Sequence, residues 1–284
     1  MKVKTAAKIN LALDVTGKRP DGYHLIESVF QTVGIYDEIS IELSDKITLT
    51  CEKSESIPCG EENIVCKAAK LFFEESGIDN GCKIHLIKEI PSQAGMGGGS
   101  SDAAAVLYAL NELTGTKLTT EKLAEIGLKL GADVPFFLTG GTAHVSGIGE
   151  KITPIADYSG KVLLIAKGEE GVSTTEAYKS IDSLENPNHP DVAALVRSIN
   201  FGGSDGHKYF GNLFESAIML TEVDYIRLTM MFCGAENPTM TGSGSAVFGL
   251  FRDEKAAGYC GEMLRDKGFY AQVCKTVKES FIVE

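Results

Sequence analysis

The stretch from Ile90 to Leu107 reads IPSQAGMGGGSSDAAAVL, and its central part, GMGGGSS (95–101), stands between an apolar segment and the start of a helix. A loop this poor in side chains lets backbone N–H groups approach a ligand closely, and the N-terminus of the helix that follows favours a negative charge. The pattern therefore predicts a loop that binds phosphate groups.

Two common phosphate loops do not fit this stretch. The Walker loop requires a Gly-Lys-Ser/Thr ending, and no lysine stands there. The dinucleotide pattern G-x-G-x-x-G, aligned on Gly95, puts Ser100 where its third glycine belongs. A flexible glycine-rich connection is the alternative, but five small residues in a row, followed by helix-capping residue types, exceed what a linker requires.

The composition predicts an ordinary globular protein of two domains. The chain has 284 residues, of which 23% are charged and 43% hydrophobic. Its best candidate for a domain boundary is TPIADYSGK, residues 153–161. The net charge of −12 opposes a nucleic-acid-binding surface, which requires a basic stripe.

Cysteine usage and hydropathy favour a cytoplasmic protein without a membrane partner. The seven cysteines form no C-x-x-C pair, which favours reduced thiols over a disulfide framework or a structural zinc site. No apolar run reaches the roughly 18 residues that a membrane span requires, and the N-terminal segment lacks an apolar signal region.

Hydrophobic periodicity indicates an α+β protein. Residues 3–15 alternate cleanly and predict a strand, residues 61–77 predict a helix, and residues 82–90 predict a strand that leads into the glycine loop. Ser100, Ser101 and Asp102 are the residue types that cap and begin a helix. In the second half we expect strands near 162–166 and 246–251 and helices near 174–183, 190–199, 211–219, 222–232 and 253–267.

The glycine stretch resembles the P-x-x-x-G-L-G-G-G-S-S-D/N-A-A motif of the GHMP small-molecule kinases, with Met96 in place of the usual leucine. In that family the loop wraps the triphosphate of ATP. The resemblance implies ATP as cosubstrate, accompanied by Mg²⁺ without a metal site built from protein side chains. It implies ATP contacts at Gly95, Gly97, Gly98, Gly99, Ser100, Ser101 and, more weakly, at Asn63 beside the adenine.

Three further segments resemble one branch of the same family, so that the resemblance runs from about residue 5 to residue 252. They are AKINLALDVTGKRPDGYH (7–24), LGADVPFF (130–137) and TGSGSAVFGLF (241–251). Ala6 replaces the usual proline before the first segment. KRPDGYH is the most discriminating piece, because other GHMP kinases lack it.

Lys8 and Asp133 are the candidate catalytic residues. Considered alone, Lys8 fits a solvated strand face, and Asp133, two residues before Pro135, fits a helix N-cap. The resemblance implies instead that Asp133 is a general base and Lys8 its cationic partner. A carboxylate within hydrogen-bond reach of an alcohol takes its proton as the bond to phosphorus forms.

The resemblance also places the acceptor substrate. It implies contacts at Asn10, Tyr23 and His24, with His24 at the cytosine edge, and stacking of Tyr178 on the cytosine. Gly242 and Ser243 would face the phosphates of the acceptor. The alternatives are a core tyrosine at position 178 and a simple tight turn at Gly242.

The resemblance implies two α+β domains, each a mixed sheet with helices on one side. Residues 1–155 would form a ribosomal-protein-S5-like domain and residues 156–284 a ferredoxin-like domain, with ATP and the acceptor meeting between them. The implied reaction is phosphorylation of the 2-hydroxyl of a cytidine diphosphate sugar alcohol, 4-diphosphocytidyl-2-C-methylerythritol, in non-mevalonate isoprenoid synthesis. We expect a monomer or weak homodimer. A kinase of another alcohol, such as homoserine, and a nucleotide sensor without catalysis stay open.

Overall fold

A computed structural model describes residues 1–53, 58–203 and 205–284, and confirms an α+β fold. The strands are β1 (Lys2–Lys18), β2 (His24–Ser44), β3 (Thr48–Glu52), β4 (Gly81–Ile87), β5 (Thr142–Gly147), β6 (Lys151–Pro154), β7 (Val162–Lys167), β8 (Gly211–Asn212), β9 (Glu236–Met240), β10 (Val247–Phe251), β11 (Tyr270–Lys275) and β12 (Phe281–Val283). The helices are α1 (Ile64–Ser76), α2 (Gly98–Thr114), α3 (Thr120–Leu128), α4 (Val134–Thr139), α5 (Thr174–Ile181), α6 (Val192–Asn200), α7 (Thr221–Phe232) and α8 (Glu254–Arg265). No helix in these ranges is long and apolar enough to cross a membrane.

The first sheet is built around the long antiparallel pair β1 and β2. Its order is β12-β1-β2-β4-β3, with β5 also on β2, β6 on β5 and β8 on β1. It is mixed, because β3 runs parallel to β4 and β8 parallel to β1. The middle of β1, residues 5–15, is buried on both faces, since α2 packs on one side and residues of the second sheet, Leu163 and Phe248 among them, share a core with the other. A solvated face for Lys8 is therefore wrong.

The second sheet has the order β11-β7-β10-β9 and is entirely antiparallel. The expectation of a mixed sheet in this half is wrong. Helix α8 connects β10 to β11, which run in the same direction, but β7 lies between them and pairs with both in the opposite direction. Because β7 separates β10 from β11, these two strands form no parallel pair. The remaining pair, β9 with β10, is also antiparallel.

Two segments from the second half of the chain return to the first sheet. Strands β8 and β12 both pair with β1, on residues 12–13 and 3–5 respectively. The domain division at 155/156 stays a prediction.

The helix expected over 211–219 is wrong. Residues 211–212 form β8, and residues 213–216 form a single 3-10 turn. The Asn212 side chain accepts the Phe214 N–H and begins that turn.

A cluster of buried charged side chains fixes the chain just before the glycine loop. Lys88 follows β4 and is 7% exposed; its ammonium donates to Asp37 and, at 2.7 Å, to Asp102, which lies just after the first turn of α2. The Asp37 carboxylate also accepts the backbone N–H groups of Glu89 (2.6 Å) and Ile90 (2.9 Å). Burial alone favours the neutral amine, but the two carboxylates raise the pKa of Lys88 above its ordinary value. This cluster fixes the end of β4 against the start of α2.

We expect Lys88→Met to lower the free energy of unfolding by about 3–5 kcal/mol, because two buried carboxylates lose their cation. Lys83→Met is the matched control on β4, since Lys83 is 62% exposed and pairs with Glu42 at 3.2 Å, and it is expected to cost less than about 1 kcal/mol. Urea denaturation of both variants measures the difference. Equal losses would contradict a structural role for the cluster.

Candidate active site

Most of the predicted site residues line one large cavity. Its volume is about 1010 Å³, at the upper end of the range of roughly 300–1,000 Å³ usual for small-molecule sites. The predicted residues on its wall are Lys8, Asn10, Tyr23, His24, Asn63, Gly95, Gly97, Gly98, Gly99, Ser100, Asp133, Tyr178, Gly242 and Ser243. Of the predicted set, Ser101 does not line this cavity as the described residues define it.

The glycine loop delivers the N-terminus of α2 to the cavity. The N-cap is Gly97, with φ 70°, and the helix begins at Gly98. The expected cap by Ser100, Ser101 or Asp102 is wrong, because Ser100 and Ser101 already lie in the first turn and Asp102 comes directly after it. Within the described chain, no side chain caps α2. A Cβ on Gly97 would stand 2.9 Å from the Phe137 ring, so only glycine fits the close approach of loop and core.

The two serines of the loop point in different directions. Ser100 lines the cavity. Ser101 is fully buried; its hydroxyl donates to the Ala6 carbonyl at 2.6 Å and forms a second hydrogen bond with the Thr5 hydroxyl. Ser101 therefore joins α2 to β1, and the structure does not place its side chain with the other predicted ATP contacts.

Asn63 lines the cavity but has a structural task there. Its Oδ1 accepts the Val65 N–H at 2.9 Å and caps α1, while its Nδ2 donates to the Pro58 carbonyl at 2.8 Å. These two bonds fix the side chain at the cavity wall.

Asn10 connects β1 to the second glycine loop. Its Oδ1 accepts from Lys8 Nζ at 2.7 Å and from the Gly242 N–H at 2.9 Å. Its Nδ2 donates to Ser28 Oγ at 3.0 Å, and its backbone N–H donates to Thr241 Oγ1 at 2.9 Å. Both polar atoms of the buried amide are thus hydrogen-bonded, and the amide orients Lys8 and the Gly242 loop together.

Lys8 and Asp133 face each other with 3.7 Å between Nζ and Oδ2. Lys8 is 4% exposed and lies over the Phe30 ring, 4.6 Å from its centroid. Burial lowers the pKa of Lys8 below 10.5, although the Asp133 charge acts in the opposite direction. The site therefore contains a cation that gains from further negative charge.

Asp133 occupies the N-cap position of α4, but its side chain makes no capping bond with any described residue. Its backbone is already helical, with φ −81° and ψ −16°, whereas a capping residue is normally extended. The carboxylate is 30% exposed and remains available to the cavity.

Part of the cavity wall is aromatic. Tyr178 on α5 stacks on His24 at the start of β2, with ring centroids 4.6 Å apart and an interplanar angle of 20°. Tyr178 also packs edge-on against Phe214 at 5.0 Å, and burial raises its pKa to about 12. It belongs to the core on one side and lines the cavity on the other. Tyr23 is 60% exposed at the rim.

The loop around Gly242 is positioned by a residue that sequence reasoning missed. Asn212 Nδ2 donates to the carbonyls of Met240 (2.7 Å) and Gly242 (2.8 Å). Ser243 Oγ is 3.1 Å from Thr174 Oγ1 at the start of α5. No local pattern marks Asn212, because its partners lie 28 and 30 residues away.

Comparison with known proteins agrees with this geometry. The family model of the GHMP kinase N-terminal domain matches residues 63–141. A protein of Clostridium perfringens strain SM101 is 42% identical over 278 residues, 96% of each chain. The chain belongs to the GHMP kinase family. A second relative of this GHMP kinase, from Clostridium tetani, is 38% identical over 283 residues, 98% of this chain and all of the relative.

Both relatives bear the name 4-diphosphocytidyl-2-C-methyl-D-erythritol kinase. A crystal structure of 4-(cytidine 5'-diphospho)-2C-methyl-D-erythritol kinase superposes on this GHMP kinase with a TM-score of 0.82 at 32% identity, covering 98% of this chain and all of the other. Homoserine kinase from Cytophaga hutchinsonii shares the fold, with a TM-score of 0.80 at 20% identity over all of this chain and 97% of the other.

We expect Lys8 to titrate below 10.5, and lower still in Asp133→Asn, because that change removes the charge that raises its pKa. NMR of ¹³C,¹⁵N-labelled lysine side chains measures both values. Lys2, whose pKa is raised by Glu38, is the internal control and is expected to keep its titration. An unchanged or higher Lys8 pKa in Asp133→Asn would contradict the coupling.

Proposed function

We propose that this GHMP kinase transfers the γ-phosphoryl group of ATP to the 2-hydroxyl of 4-diphosphocytidyl-2-C-methyl-D-erythritol. The observation that carries the proposal is the cavity wall. Both glycine loops, Lys8 and Asp133, and the aromatic pair His24 and Tyr178 line this one cavity. Relatives that match over nearly the full chain bear the name of this kinase.

Asp133 is the proposed general base. The acceptor hydroxyl is tertiary and a poor nucleophile, so a carboxylate that takes its proton helps the oxygen attack phosphorus. General-base catalysis contributes roughly 10²–10⁴ in rate. The absence of a capping bond to Asp133 within the described chain supports this role, because the carboxylate has no competing structural task.

Lys8 is proposed to hold charge at the reacting centre. An ammonium 3.7 Å from Asp133 offsets the negative charge of that carboxylate while anionic substrates approach. The same cation stabilises negative charge on the transferred phosphoryl group. Positioning of the two substrates supplies the rest of the acceleration.

ATP is proposed to lie on the first glycine loop, with its phosphates at the N-terminus of α2. The first turn without a side-chain cap and the position of Gly98 and Gly99 on the cavity wall fit a phosphate chain. Across the described residues, no group of three His, Cys, Asp or Glu side chains is arranged to hold a metal. Mg²⁺ is proposed to accompany ATP, with Ser100 on the cavity wall as its protein contact; bound there, it would neutralise phosphate charge.

The proposal also includes the cellular location of the enzyme. Buried free thiols at Cys66, Cys82, Cys260 and Cys274 fit a reducing compartment, the cytoplasm. We also keep the division into residues 1–155 and 156–284 and a monomer or weak homodimer as predictions.

The direct test is ADP release with Mg-ATP and a panel of acceptors: 4-diphosphocytidyl-methylerythritol, methylerythritol 4-phosphate, homoserine, mevalonate and galactose. We expect turnover with the first alone. Turnover with another acceptor would overturn the cytidine site while keeping the kinase, and turnover with none would favour a nucleotide sensor.

We expect Asp133→Asn to lower kcat by about 10²–10⁴ while the KM for ATP stays within about twofold, because the amide is isosteric but accepts no proton. Asp157→Asn, on an exposed turn outside the cavity, is the matched control and is expected to keep full activity. Steady-state kinetics measures both variants. Wild-type turnover in Asp133→Asn would remove this residue from the mechanism.

A further inference from the structure

Two side chains at the C-terminal end of helix α5 contact His24. Tyr178 and Asp182, four residues apart at the end of this helix, lie on the same helix face. Tyr178 covers the face of the His24 imidazole, and Asp182 Oδ1 lies 2.7 Å from its Nε2. Lys18 Nζ donates to the other oxygen of Asp182 at 2.5 Å. The imidazole is therefore fixed both across its plane and at one edge.

The chemistry of Asp182 decides which nitrogen of His24 carries a proton. The hydrogen bond from Lys18, and next that from His24, lowers the pKa of Asp182, so this group is a carboxylate and only accepts. Nε2 must then be the donor. In the neutral ring Nδ1 keeps its lone pair, and among the described residues it has no hydrogen-bond partner. One ring nitrogen of a residue that lines the cavity is thus left as an acceptor.

We propose that Asp182 is a positioning residue that makes His24 select cytosine over uracil, an inference that rests on the proposed function. Cytosine carries an amino group at C4, which donates, and uracil carries an oxygen there, which accepts. An Nδ1 lone pair accepts from the amino group of cytosine. Opposite the uracil oxygen, the same lone pair faces a second acceptor and repels it.

Tyr178 fits the same arrangement. A base that bonds to the edge of the imidazole lies close to the imidazole plane. The Tyr178 ring is within 20° of that plane, so it is nearly parallel to such a base as well. The ring centroids of His24 and Tyr178 are only 4.6 Å apart, which leaves no space for a base between them. The base is therefore placed beside the imidazole, under the same tyrosine.

Loss of Asp182 would free the ring. Without the carboxylate, the proton moves between Nε2 and Nδ1, and the ring turns to satisfy either base. Affinity for the cytidine form falls, because the acceptor is no longer fixed, and affinity for the uridine form does not.

The test is the binding of cytidine 5'-diphosphate and uridine 5'-diphosphate by isothermal titration calorimetry, with Mg²⁺ and a non-hydrolysable ATP analogue saturating the ATP site. We expect the wild type to bind the cytidine nucleotide at least about tenfold more tightly, because acceptor–acceptor contact replaces a hydrogen bond in the uridine complex. In Asp182→Ala we expect cytidine binding to weaken about tenfold and uridine binding to stay within about twofold.

Glu176→Ala is the matched control, since Glu176 is an exposed acid on the same helix outside the cavity, and it is expected to keep both affinities. Thermal unfolding verifies that each variant is folded. An unchanged preference in Asp182→Ala, or an equal loss for both nucleotides, would overturn the role of Asp182. Failure of the proposed function is separate: the wild type would then phosphorylate no cytidine acceptor, and the Asp182 proposal would fall with it.

Discussion

The site depends on one side-chain oxygen, Asn10 Oδ1, which accepts from Lys8 Nζ and from the Gly242 N–H. An amide in the doubly covered middle of β1 is tolerated only when its polar atoms are satisfied. Satisfying this one brings the lysine from the first sheet and the loop that precedes β10 of the second sheet to one point. Gly242 also packs closely against Gly95 of the first loop, since a Cβ on Gly242 would stand 2.6 Å from the Gly95 Cα.

Two buried lysines near this point have opposite electrostatic settings. Lys88 faces two carboxylates, which raise its pKa, and it fixes the entrance to the glycine loop. Lys8 faces one carboxylate at 3.7 Å, and burial lowers its pKa. The first cation is fully compensated inside the protein. The second gains stabilisation when an anion arrives, and this difference separates a structural lysine from one suited to handle phosphate.

Sequence patterns predict the features that depend on residues close together in the chain. Alternation predicted β1, the glycine run predicted a phosphate loop, and the motif resemblance indicated which residues would meet, and fourteen of them line one cavity. The failures have long-range causes. Ser101 bonds to Thr5 and Ala6 across 95 or more positions of sequence, and residues 211–212 pair with the distant strand β1 instead of beginning the predicted helix. Asp182 was missed for the same reason: it meets His24 158 positions away.

The most direct measurement is a crystal structure of the complex with Mg²⁺, a non-hydrolysable ATP analogue and 4-diphosphocytidyl-methylerythritol. We expect the triphosphate on the loop of Gly97 to Gly99, the cytosine beside His24, and the 2-hydroxyl within about 2.6–3.2 Å of an Asp133 oxygen. The hydroxyl should also face the terminal phosphorus in line, about 3–3.5 Å away. A hydroxyl held far from Asp133, or phosphates bound away from the glycine loop, would contradict a single site organised by Asn10.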